Sequence, residues 1–89
     1  MTRAAFLRSL PATLSPGRRF LIMAPGRWGA GATAAEAFAN LKKEGGDLRH
    51  LIAFDVQDDL RIDAMGDFVY TDRPGVEPYV RLGDWQGRR

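Results

Sequence analysis

One stretch of this chain restricts its fold more than any other. Thr33-Ala34-Ala35-Glu36 has the spacing of a capping box, in which the Thr33 hydroxyl accepts from the backbone N–H of Glu36 and the Glu36 carboxylate accepts from that of Thr33. Ala34, Ala37, Phe38 and Leu41 then recur at i, i+3, i+4 and i+7, Lys42 and Lys43 suit the negative end of the dipole, and Gly45-Gly46 supplies a stop. The spacing predicts a helix over 34–44 with one apolar stripe. In a chain of 89 residues the core is thin, and the natural cover for that stripe is one face of a small sheet.

The strands follow from alternation. Arg19 to Ala24 is nearly all apolar, which suits a strand covered on both faces. Ile52, Phe54 and Val56 alternate with Leu51, Ala53 and Asp55, and beyond Gln57-Asp58-Asp59 the residues Leu60, Ile62 and Ala64 alternate with Arg61, Asp63 and Met65. Read as a hairpin, this pairs Val56 with Leu60, Asp55 with Arg61, Phe54 with Ile62 and Ala53 with Asp63, which puts both apolar sets on one face. Gly66 suggests a bulge or bend, Phe68 to Thr71 continues or restarts the strand, Asp72-Arg73-Pro74-Gly75 turns, and Pro78 to Leu82 adds a short edge strand. Met1 to Leu14 is weakly amphipathic and interrupted by Pro11. The expected fold is α+β in one domain with order β-α-β-β. Its mixed sheet has three to four strands, one helix covers one face, and strand one reaches strand two by a parallel crossover. Residues 1–17 and 73–89 are expected to be irregular arms around a core at 18–72.

Several chemistries are poorly served. Without cysteine there is no disulfide or thiolate metal site, and the single His50 makes an imidazole cluster improbable. Gly26 to Thr33 reads G-R-W-G-A-G-A-T, with the glycines of a phosphate-cradling loop, but Ala32 stands where the lysine belongs. What survives is a candidate anion site in which Arg27, beside Trp28, joins the N–H groups at the helix start; otherwise the glycines let Trp28 fold back onto the core. The carboxylates line a surface rather than a cleft, and His50 has no nucleophile placed with it, so no catalytic residue, metal or cofactor is expected. No apolar run approaches a membrane span. The first 35 residues hold five arginines and no acid, as organellar leaders do, but they contain the first core strand, and the cytoplasm is the expected location.

Charge is segregated. Residues 1–46 have seven basic and two acidic side chains, net +5; residues 47–72 have two and seven, net −5; residues 73–89 have four and two, net +2. The acidic block, through Asp55, Asp58, Asp59, Asp63 and Asp67 on the hairpin, is the candidate binding surface for a protein with a basic groove. The alternative is nucleic-acid binding by arginine-rich arms, Arg3, Arg8, Arg18, Arg19 and Arg27 early and Arg73, Arg81, Arg88 and Arg89 late, with Trp28, Tyr79 and Trp85 to stack. On the face away from the helix the hairpin register sets Leu51 beside Met65. This apolar patch calls either for the arms or for a second copy in an isologous homodimer.

Two resemblances bear on function. Gly31-Ala32-Thr33-Ala34-Ala35-Glu36-Ala37-Phe38-Ala39-Asn40 resembles the G-x-T-x-x-E-A-x-x-N signature of HicB-type antitoxins, which pair a small sheet-and-helix domain with a toxin partner. That family carries two or three strands before this helix, where the sequence suggests one. In size and style the chain is also similar to the short Ala- and Arg-rich accessory proteins of phages and prophages, anti-CRISPR inhibitors among them. The second resemblance implies stoichiometric binding without chemistry to a bacterial protein with a basic surface, in the host's cytoplasm; the first implies an antitoxin-like regulator.

Overall fold

A computed structural model describes residues 1–87. The expected α+β class holds, with two helices and a four-stranded sheet joined by a two-stranded one. Helix α1 is Arg3–Ser9, β1 is Arg18–Ala24, β2 is Arg27–Gly31 and α2 is Ala34–Lys43. They are followed by β3 at His50–Gln57, β4 at Arg61–Ile62, β5 at Phe68–Val69 and β6 at Tyr79–Gln86. The large sheet has the order β2-β1-β3-β6, and every pair in it is antiparallel.

Three features differ from expectation. First, the glycine-rich segment is a strand. Ala24 pairs with Arg27 across a two-residue turn, Pro25-Gly26, in which Gly26 supplies the positive φ of 72° that such a turn needs. The glycines after it serve the packing of α2: a Cβ on Gly29 would lie within 2.8 Å of the Leu41 Cα and closer still to the Leu41 N and Ala37 O. One on Gly31 would lie 2.6 Å from the Glu36 Cβ. The helix rests on bare backbone.

Second, β1 and β3 are antiparallel neighbours, so the expected parallel crossover between them is absent. Because β2 reverses the chain before α2 begins, the crossover through α2 runs from β2 to β3 and spans β1. Third, β3 does not pair with the segment after it. Its neighbours are β1, with Phe54 opposite Leu21, and β6, with Leu51 opposite Trp85. Instead β4 turns back onto β5, with Arg61 opposite Val69 and Ile62 opposite Phe68.

The sheet is therefore sandwiched. On one face Phe20, Ile22, Leu51 and Ala53 pack with Ala37 and Leu41 of α2 and with Phe6 and Leu10 from the N-terminal segment. Each fully buried Leu, Ile or Phe here contributes about 1.5–3 kcal/mol. The expected N-terminal arm is thus structural: Thr2 caps α1 by accepting from the Ala5 N–H, and Phe6 is 4% exposed. On the other face Leu60, Ile62 and Phe68 cover Leu21, Met23, Phe54 and Val56. These three belong to residues 58–72, termed here the flap. The expected C-terminal arm supplies β6, an eight-residue edge strand with a bulge between Ala53 and Phe54 of its partner.

Candidate functional site

Both faces of the sheet are covered, so the acidic block cannot form a bare sheet face; it lies mostly on the flap. Asp55 is the exception. It remains on β3 and binds Arg18, whose Nε is 2.7 Å from its Oδ1, instead of the expected Arg61. The pair is partly buried, and Arg18 also donates to the Asp55 and Glu77 carbonyls. Asp55 is thus neutralised and fixes β1 to β3.

The remaining carboxylates divide by use. Asp59 accepts from Arg73 at 2.5 Å, closing the two ends of the flap, and the Gln57 side chain donates to the Thr71 carbonyl at 3.3 Å beside it. Asp63 is a turn residue: its Oδ1 accepts from the N–H groups of Met65 and Asp67, both at 2.9 Å, shaping the tip between β4 and β5. Asp58, Asp67 and Asp72 are exposed, with no cation in ion-pair range among the described residues. The five expected partner-binding residues therefore separate into one in a partly buried pair (Asp55), two that hold the flap (Asp59, Asp63) and two that face solvent unpaired (Asp58, Asp67).

Asp47, at the start of the same block, lies outside the flap. Two hydrogen bonds from the Arg49 side chain and one from its backbone N–H lower its carboxyl from 3.8 to about 2.

Apolar groups share the flap's outer surface. Met65 at the tip is 85% exposed, Val69 50% and Tyr70 41%. Tyr70 also belongs to an aromatic group with Phe54, Phe68 and Tyr79, which meet edge to face with centroid separations from 4.9 to 6.2 Å. Met65 is not next to Leu51, which is fully buried under the helices, so the patch expected to call for a homodimer does not exist as one surface.

Arg27 and Trp28 are not assembled as an anion site at the helix start. Arg27 donates to the Glu44 carbonyl at 2.5 Å, at the C-terminal end of α2. That is about 16 Å from Thr33 at the rise of an α-helix. Trp28 is 41% exposed, on the flap side opposite Met23, and does not fold back under the helix. Of the arginines proposed to contact nucleic acid, Arg73 and Arg81 are held by Asp59 and Asp84, and Arg3 lies over the Phe38 ring. The Trp85 indole donates to the Met1 carbonyl. Arg88 and Arg89 lie outside the described residues.

No cluster of three or more His, Asp or Glu side chains is placed to hold a metal, and no helix is long and apolar enough to cross a membrane, among the described residues. Comparison with protein-family models, curated proteins and solved structures finds no match to this chain.

Proposed function

We propose that this chain is a non-enzymatic, stoichiometric protein-binding module that presents the flap to a basic, partly apolar surface of a bacterial partner. The observation that carries this is the flap's outer surface: unpaired Asp58, Asp67 and Asp72 beside exposed Met65, Val69 and Tyr70. Carboxylates steer an approach to cations and fix its register, while aromatic and Met side chains supply area that gains free energy on losing water. Partners with such cations include the grooves in which nucleic-acid-handling complexes hold phosphates. An inhibitor of a defence complex, encoded by a phage or mobile element, fits this chemistry.

The HicB-type resemblance suggests a related partner, a toxin protein. Support for it comes from β1 and β2, which place two strands before α2, as that family's pattern requires.

Capture from bacterial lysate, identification of the partner and titration against it test the proposal. Asp58→Lys, Asp67→Lys and Asp72→Lys together leave the Asp59–Arg73 pair and the Asp63 turn in place, and should weaken binding by at least about tenfold with an unchanged circular dichroism spectrum. Undiminished binding by the folded triple variant would overturn it.

A further inference from the structure

On the side of the sheet away from the flap, α1 and α2 enclose an open groove of about 570 Å³, lined by Leu7, Arg8, Ala35, Phe38, Ala39, Lys42 and Lys43. Its floor is apolar. Its rim is cationic: the Arg3 guanidinium lies 5.1 Å and the Lys42 ammonium 5.8 Å from the centre of the Phe38 ring, and no cation of this rim is in an ion pair among the described residues. Glu36, the acid within α2, has its Cβ on the side of the helix that faces Gly31 of β2.

The flap tip has the opposite character. Met65 projects from a tight turn with Asp63 two residues before it and Asp67 two residues after it. A protruding thioether between carboxylates matches an apolar hollow between ammonium and guanidinium groups, and a Met sulfur is well suited to an aromatic ring such as Phe38. The sheet separates the two features within one chain, since the helices cover one face and the flap the other. Only another molecule's tip can enter the groove.

We propose that the flap tip of one copy docks into the α1/α2 groove of the next, with Met65 against Phe38 and with Asp63 and Asp67 facing Arg8, Lys42 and Lys43. The inference rests on the reading of the flap as a binding surface. The contact joins two different patches, so it is heterologous: it propagates from copy to copy into a ring or an open chain rather than closing as the isologous dimer expected from the sequence.

The test is light scattering over a concentration series with wild type and two variants altered only at exposed positions. Ala39→Glu fills the groove and makes it acidic; Met65→Ser with Asp67→Asn removes the knob and one charge while keeping the Asp63 turn. Wild type should rise above 9.9 kDa with concentration and return toward it in high salt, and each variant alone should stay at 9.9 kDa. Mixed, the variants should form a species of twice that mass that grows no further, because one retains an intact tip and the other an intact groove. Wild type fixed at 9.9 kDa, or a mixture that remains monomeric, would overturn the inference. Ala39→Glu leaves the flap intact, so partner capture by that variant keeps the proposed function standing if self-association fails.

Discussion

On the helix side of the sheet, α2 lies so close to β2 that Gly29 and Gly31 have no room for a side chain; on the flap side, β4 and β5 form a ladder of their own and reach the large sheet through Leu60, Ile62 and Phe68. Backbone against backbone leaves few alternative arrangements, whereas three side chains on a tethered hairpin leave several. The layer that can yield also carries the unpaired acids and the exposed Met65, Val69 and Tyr70. The molecule is a rigid helix-and-sheet support with a softer presenting element, and low local stability is where binding segments are commonly found.

The same substitution in the two layers gives the largest contrast. Gly29→Ala drives a Cβ into the α2 backbone, which cannot give way as a flexible side chain would, and should lower stability in urea by about 3 kcal/mol or prevent folding. Gly66→Ala meets open space and only the strain of a positive φ of 85°, about 1–2 kcal/mol, felt at the flap tip. Equal effects would show that the two covers do not differ.

Leucine truncation sharpens the comparison. Leu41 and Leu60 are both almost wholly buried, yet Leu41→Ala should cost about 4 kcal/mol and Leu60→Ala about 2, because the flap can settle into the space while α2 is held by the glycines beneath it. Denaturation midpoints with an unchanged urea slope decide it.

How much of this was legible in the sequence depends on whether the signal was local. The helix was, because Thr33, Glu36 and the apolar stripe act within one element; the Thr33 side chain accepts from the Glu36 N–H at 3.1 Å, as its spacing requires. Strand β2 was not, because its glycines answer to a helix packed from elsewhere and locally look like a loop. The Pro25-Gly26 turn beside an apolar run was the one signal that pointed to a hairpin. Alternation in β3 separated its two sets of side chains but left Leu51 on the face away from the helix, whereas it lies beneath α2, and a register that gathered both apolar sets on one face still paired the wrong strands. At the candidate site, Asp58 and Asp67 were found by charge alone. Met65 was assigned to the sheet, and Asp55, Asp59 and Asp63 owe their roles to partners that no spacing reveals.

A smaller effect is expected at the pair that ties β1 to β3. Asp55→Asn removes a charge-assisted hydrogen bond that is largely shielded from water, and should cost about 1–2 kcal/mol while leaving partner capture unchanged. Loss of capture instead would make Asp55 part of the binding surface and blur the line between support and flap.

The smallest concerns Asp47 and Arg49, on the exposed turn before β3. A lowered folded-state pKa means that the stabilisation is present above the unfolded value of 3.8 and is lost as pH falls from there through about 2. Proton-linked NMR should place the Asp47 midpoint near 2, and Arg49→Gln should return it toward 3.8. The pair is open to solvent, so the same substitution should leave stability at neutral pH almost unaltered.

Hydrogen exchange on the free protein, resolved to peptides, tests most directly the division into support and presenting element. The amides of α2, β1 and β3 should exchange only through global opening, while those of residues 58–72 exchange at least about a hundredfold faster. A flap protected to the same degree as α2 would contradict it.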